Sequence, residues 1–203
     1  MASSTAYRGF IPVRKVGGNY NTNAVTDNIV LADTSASDAA PSNNVYTGDP
    51  VIMPGAQGAT ITTSVATTLK ISGVFMGCQY VTGGEQKFSR YWPGGTSATD
   101  VKFFVITDPN QTYHIQGDAT ISVSQLIRPY NYDISVSASG NTTTGQSGFF
   151  LDSSSKTEAI APVRVIGRSH DPNEGEDDQY PVVEVYISNH RDRYVTASVS
   201  TTA

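Results

Sequence analysis

Short apolar or alternating runs, separated by turn-forming residues, constrain the fold of this chain more than any other feature of its sequence. Val101–Thr107 is a near-continuous apolar run that stops at Asp108, and the residues of Val182–Ile187 place valines and an isoleucine on one face. Such runs at roughly 8–12-residue spacing are typical of sandwiches and barrels. No long amphipathic helix and no repeat is evident. The sequence therefore predicts an all-β fold, a sandwich or barrel of short antiparallel strands.

Composition supports this fold class. Only 15% of residues are charged, whereas the chain has 18 glycines and 11 tyrosines. Glycine weakens helices, and aromatic residues fit pleated surfaces. The single cysteine, Cys78, excludes a disulfide within one chain and a zinc site built of thiolates. Its place in an apolar run favours a buried, inert thiol over a reactive one.

The charge and the hydropathy exclude two classes of partner. The net charge is −5 and the isoelectric point is near 5.0, so we expect no nucleic acid as partner. No apolar stretch approaches the ~20 residues that span a bilayer, and the N-terminus lacks the regions of a signal peptide. We therefore expect no membrane partner and a protein made in a cytosol.

Residues 1–44 are predicted to form an extended N-terminal arm. The segment is rich in Ser, Asn, Thr and Ala, and its residues 35–44 offer little to bury. One aromatic-aliphatic cluster, Phe10–Val13, lies among Arg8, Arg14 and Lys15. A basic segment on an acidic protein favours docking onto an acidic partner surface. The alternative is a frayed terminus with solvated charges.

Residues 45–197 are predicted to form the β body, with a division near 128–130 left open, and 198–203 a flexible tail. Glycines at 73 and 77, inside an apolar run, predict a bulge or the close approach of another backbone. Val101–Thr107 and Thr112–Gln116 are joined by a short turn and are predicted to pair as a hairpin.

No residues form a recognisable catalytic or metal-binding motif. His114, His170 and His190 lack the spacing that places two imidazoles on one metal. The acidic run at 171–178 matches a calcium loop poorly, because a glycine stands at a ligand position and the final glutamate is absent. It is read as a solvated hairpin tip. We therefore predict a protein that is not an enzyme, with no catalytic residues, no metal and no cofactor.

Tyr91 and Trp92 precede the turn residues Pro93-Gly94-Gly95. Large rings at a turn either fold over the edge of the core or are presented to a partner, and tyrosine and tryptophan are favoured at interfaces. Stacking on a carbohydrate uses the same side chains. All three interpretations are kept at this point.

Four motifs in the first half of the chain occur in a fixed order: YRGFIPVRKVGG from Tyr7, YTGDPVIM from Tyr46, ISGVFMGCQYV from Ile71 and KFSRYWPGGT from Lys87. The later stretches VKFFVITDPNQTYHIQGDATIS, GQSGFFLDSS and VRVIGRSHDPNEGEDDQYPVVEVYISNHR continue the series. Together they resemble the capsid decoration or cement proteins that tailed bacteriophages encode beside the major capsid protein.

The resemblance implies a non-enzymatic virion structural protein that binds the outer surface of a phage capsid and bridges neighbouring subunits. Its partner would be the major capsid protein, its location the capsid surface after synthesis in the host cytoplasm, and its state a dimer or trimer. Alternatives are a neck, tail or head-fibre component, or a glycan-binding attachment module. The predicted capsid contacts are Tyr7, Arg8, Phe10, Ile11, Val13, Arg14, Lys15, Tyr91 and Trp92.

Overall fold

The computed structural model describes residues 7–16, 29–31, 41–52, 70–121, 130–136, 140–169 and 179–193. Within these ranges the chain has fourteen strands, one 3-10 turn at Ser153–Ser155 and no α-helix, which confirms the all-β prediction. The strands are β1 (Ile11–Lys15), β2 (Ile29–Leu31), β3 (Val45–Tyr46), β4 (Pro50–Val51), β5 (Gly73–Thr82), β6 (Glu85–Ser89), β7 (Tyr91–Trp92), β8 (Thr99–Ile106), β9 (Gln111–Gln116), β10 (Asn131–Tyr132), β11 (Ile134–Val136), β12 (Phe149–Leu151), β13 (Val163–Arg168) and β14 (Val182–Ile187).

The first sheet is antiparallel, with the strand order β1-β9-β14-β13-β10. Its central strand β14 alternates as predicted: Val183, Val185 and Ile187 are buried on one face. Successive side chains of a strand point to opposite faces. Glu184 therefore lies on the other face of the sheet, yet it is also buried.

The second sheet has the order β2-β8-β5-β4, and β6 pairs with the far end of β5. The pairing of β5 with β8 shifts register between Phe75 and Gly77, where Gly77 has a φ of 146°. A Cβ on Gly73 would lie 2.3 Å from the backbone oxygen of Ile106. The two glycines therefore mark the predicted bulge and the predicted close backbone approach.

The predicted hairpin between Val101–Thr107 and Thr112–Gln116 is wrong. β8 pairs with β5 and β2, whereas β9 pairs with β1 and β14. The turn after Asp108 instead carries the chain from the second sheet to the first. The two strands do not pair because they bury side chains in different hydrophobic clusters, Phe103 of β8 in one and Tyr113 of β9 in the other.

Two hydrophobic clusters lie on either side of the second sheet. The first fills the space between the inner face of the first sheet, the β11-β12 pair and residues such as Val74 and Ile106. The second lies between the β3-β7 pair and residues such as Phe75 and Phe103. β5 and β8 contribute to both clusters, so the described sheets stack in layers and the second sheet is the shared middle layer.

Two described stretches of the predicted arm belong to these sheets. β1 pairs with β9 in the first sheet, and β2 pairs with β8 in the second. For these residues the arm prediction needs correction, because their backbones are hydrogen-bonded within the β body. Residues 1–6, 17–28 and 32–40 of the predicted arm, residues 128–129 and the tail at 198–203 lie outside the described residues.

Candidate functional site

Among the described strands, β1 lies at the edge of the first sheet, and it exposes a mixed apolar and basic surface. Ile11 and Val16 are 43% and 51% exposed. Arg8 and Lys15 are exposed beside them. We call these four residues the β1 surface. Pro12, which lies between them, has no backbone N–H and is tolerated at an edge strand.

A bulge in β1 is held by buried polar side chains of β9. The pairing of β1 with β9 shifts register between Pro12 and Lys15. There the Thr112 hydroxyl donates to the Arg14 carbonyl oxygen over 2.8 Å, and the Gln111 amide donates to the same oxygen over 3.1 Å. The irregular backbone is therefore satisfied from within the sheet.

Arg14 reaches across β9 and binds the buried Glu184 of β14. Its Nε and Nη2 donate to the two carboxylate oxygens over 2.7 and 2.9 Å. Burial by itself would raise the pKa of Glu184, but the hydrogen bonds from Arg14 and Thr112 and the nearby charges of Arg14 and His114 lower it. Arg14 therefore serves the fold, and its charge is largely neutralised by Glu184.

Lys15 makes a second, more exposed ion pair. Its Nζ lies 2.7 Å from Oδ2 of Asp108. Partial burial would raise the pKa of Asp108, but hydrogen bonds from Lys15 and from the Asn110 N–H, with the charges of Lys15 and His190, lower it. The pair ties β1 to the corner between the sheets.

Two of the predicted contact residues are core residues. Phe10 is 1% exposed and packs edge-to-face on Tyr113. Trp92 is 0% exposed, contacts Tyr80 and Phe103 edge-to-face, and donates from Nε1 to the Pro41 carbonyl over 2.8 Å. A side chain without exposed surface does not contact a partner of the folded chain. Both assignments are corrected, and the tryptophan platform proposed for a glycan is absent.

The other predicted contacts are at least partly exposed. Tyr7 stacks on Phe150 with ring centroids 4.7 Å apart, and Tyr91 stacks on Tyr46 at 5.7 Å. Val13 is half-buried. The structure thus places Ile11 and Lys15 on β1 and Arg8 three residues before it, whereas Tyr91 lies in the β3-β7 pair.

Four of the sequence motifs meet at one joint beside β1. A Cβ on Gly9 would lie 2.5 Å from the Gly48 oxygen and 2.5 Å from the Ser147 side chain. Phe10 N–H donates to the Gly48 oxygen over 3.0 Å, and Gly48 N–H to the Phe75 oxygen over 2.8 Å. Gly9 and Gly48 both have positive φ. The sequence showed these glycines, but their contact is a long-range feature that no local pattern indicates.

Other motifs also lie at connections between layers. Ile71 N–H donates to the Asn189 oxygen over 3.0 Å, and Arg191 N–H donates to the Ile71 oxygen over 2.9 Å. His190, between them, is buried, and its Nδ1 accepts from Asp192 N–H over 3.1 Å. Burial foremost lowers the pKa of His190. The motifs that carry the resemblance are thus positions that hold the fold together.

Asp49 is a buried carboxyl that lies beside a cleft. The cleft has a volume of about 520 Å³ and is lined by Tyr46, Asp49 and Phe149 among others. Burial raises the pKa of Asp49 to about 6, against the lowering effect of hydrogen bonds from Ser147 and the Tyr46 N–H. Because both hydrogen bonds are internal to the joint, they indicate a structural role for Asp49.

Among the described residues, no three His, Cys, Asp or Glu side chains are grouped as metal ligands. Cys78 is buried and free, and burial raises the pKa of its thiol to about 12, so the thiolate that would make it reactive is disfavoured. His170 and the acidic run at 171–178 lie outside the described residues. No helix in the described ranges is long and apolar enough to cross a membrane.

Comparison with known proteins leaves the resemblance as a prediction. The chain matches no protein-family model, no curated protein and no solved structure.

Proposed function

We propose that the chain is a non-enzymatic virion structural protein that binds the outer surface of a phage capsid and stabilises it by bridging neighbouring subunits of the major capsid protein. The observation that carries the proposal is the ordered series of motifs, which extends from Tyr7 to Arg191. The layered β body supports it, because a bridging protein needs a rigid body more than a reactive pocket.

The β1 surface is the proposed capsid contact. An edge strand presents unpaired backbone groups that a partner strand can bind, with side chains at alternate positions setting specificity. Ile11 and Val16 offer apolar area at 43% and 51% exposure. Arg8 adds an exposed positive charge to a protein of net charge −5, and Lys15, although paired with Asp108, has a side chain that is 53% exposed. The surface therefore fits an apolar patch with an acidic rim on the capsid.

A binding experiment with shells tests the proposal. Expanded capsids that lack this protein are mixed with the purified chain and sedimented, and the bound protein is quantified against the major capsid protein. We expect saturable binding with a copy number comparable to that of the capsid subunit, and a rise in the melting temperature of the shell. Absence of binding at micromolar concentration would contradict the proposal, and a few copies per particle would favour the neck, tail or fibre alternative.

A matched pair of variants locates the contact. Arg8→Glu reverses an exposed charge on the β1 surface, and Lys102→Glu makes the same change of charge on β8 in the second sheet. We expect Arg8→Glu to weaken shell binding about tenfold, with a smaller salt dependence, and Lys102→Glu to leave it unchanged. Equal effects of both variants would place the contact elsewhere.

A further inference from the structure

The β5-β6 hairpin ends in an exposed edge that no described strand covers. Its turn, Gly83-Gly84, has φ values of 59° and 81°, as a two-residue type I′ turn requires. Residues 85–88 of β6 are all exposed, and Phe88 is 71% exposed. Among the described strands β6 pairs with β5 alone.

The register of the hairpin determines which backbone groups point outward. Thr82 and Glu85 close the turn and face each other, Val81 pairs with Gln86 next, and Tyr80 then pairs with Lys87. In a two-residue hairpin the closing pair is hydrogen-bonded, and hydrogen-bonded and non-hydrogen-bonded pairs then alternate. The N–H and C=O groups of Gln86 and Phe88 therefore point away from β5 and are available to another strand.

Charge selects among the symmetric ways in which two copies of β6 can pair. A two-fold axis at Lys87 would place the two lysines opposite each other, which is unfavourable. An axis at Gln86 instead places Glu85 opposite Lys87 of the second copy, twice. It also brings Phe88 close to the turn residue Gly84 of the second copy, where an added Cβ would have nothing within 4 Å.

We infer that β6 is a self-association surface, on which two copies of this chain pair antiparallel about a two-fold axis at Gln86. A lysine on an edge strand ordinarily blocks such pairing. Here Glu85 stands two residues away from Lys87, in the register that neutralises it. The occupant of the edge is therefore a second copy of the same hairpin.

The inferred contact is small, so we expect it to form mainly between chains that are already held close together. Stable interfaces bury about 1,200–2,000 Å², more than one short strand pair supplies, so pairing is weak in dilute solution. The inference rests on the proposed function for its biological setting, because chains held side by side on a shell have a high effective concentration. It is tested in the absence of shells, so its failure is distinct from a failure of shell binding.

A charge swap tests the pairing. Sedimentation equilibrium over a concentration series measures self-association of the wild-type chain, Glu85→Lys, Lys87→Glu and the double variant. We expect each single variant to lower the association constant about tenfold, because like charges then face each other, and the double variant to recover it. A wild-type chain that stays monomeric up to millimolar concentration, or a double variant that is no better than the single ones, would overturn the inference.

Cysteine cross-linking tests the register. Opposed residues of a hydrogen-bonded pair lie about 5.5 Å apart at Cα, within the range that a disulfide spans, and the native Cys78 is buried. We expect Gln86→Cys to form linked dimers under mild oxidation faster than Lys87→Cys or Phe88→Cys. Faster linkage of either of those two variants would refute an axis at Gln86.

Discussion

At the scale of single residues, Asp49 shows that a buried carboxyl can hold a turn in place and still reduce the free energy of unfolding when it ionises. It is 1% exposed, and it accepts from the Tyr46 N–H over 2.8 Å in the turn that contacts β1 and β5. Burial raises its pKa to about 6 from an ordinary value of 3.8. The folded chain therefore binds this proton more tightly than the unfolded chain does.

This linkage predicts a pH dependence of stability. Between about pH 4 and pH 6 the folded state holds the Asp49 proton that the unfolded state has lost, so the free energy of unfolding falls as the pH rises and levels off above about 6. At roughly 1.4 kcal/mol per pH unit, the loss is about 3 kcal/mol. Urea titrations at several pH values should show this fall for the wild type and lose it in Asp49→Asn, in which the side chain does not ionise.

Comparing the wild type with Asp49→Asn separates the effect of Asp49 on stability from the effects of the other titratable groups. Asp108 and Glu184 have lowered pKa values, so their stabilising effect is lost at the acid end as the pH falls through those values. They act equally in the wild type and in the variant and cancel in the difference. A difference between the two proteins that stays constant from pH 4 to pH 6.5 would show that Asp49 titrates normally.

At the scale of elements, β1 carries both a side chain that belongs to the fold and a side chain that is largely exposed. Arg14 is 31% exposed at its side chain and pairs with Glu184, which is 2% exposed. Lys15, the next residue, is 53% exposed and pairs with Asp108. Neighbouring cations of one strand thus have different tasks, because alternate residues of a strand face opposite sides.

The two cations should differ in their effect on stability. Arg14→Met leaves the buried Glu184 without its main partner, and we expect a loss of about 3 kcal/mol. Lys15→Met removes a largely exposed pair and should cost about 0.5 kcal/mol. Chemical denaturation of both variants measures the difference. Equal losses would indicate that the ion pair with Glu184 contributes no more than a surface pair.

At the scale of the whole molecule, the second sheet joins two cores into one folding unit. Val74 and Phe75 are consecutive residues of β5, yet they belong to different hydrophobic clusters. Loss of either cluster would therefore expose one face of the same strand. Neither cluster is expected to be stable alone, since the second sheet forms one side of each.

Unfolding of the described body should accordingly be a single transition. Trp92 is the only tryptophan of the chain and is buried in the second cluster, so its fluorescence reports that cluster alone. Far-UV circular dichroism reports all sheets. We expect the two signals to change at the same denaturant concentration, as two-state unfolding requires. Separated midpoints would mean that the clusters unfold independently.

Local chemistry was sufficient for part of this description. Alternation in Val182–Ile187 predicted a strand, and the glycines at 73 and 77 predicted a bulge or a close backbone approach. The apolar surroundings of Cys78 predicted a buried thiol. Each of these features depends on a residue and its chain neighbours. The same local patterns also located the turn after Asp108, although they did not show where the chain goes next.

The sequence by itself determined the strands, the turns and the set of motifs on which the proposed function rests. Only the tertiary structure decided that β8 and β9 enter different sheets, that Trp92 and Phe10 are core residues and that β1 lies at an edge. It also decided that Gly9, Gly48 and Ser147 meet. These are matters of pairing between residues that are distant in the chain, and the free energy of burial that selects such pairs depends on the complete packed body rather than on any one segment.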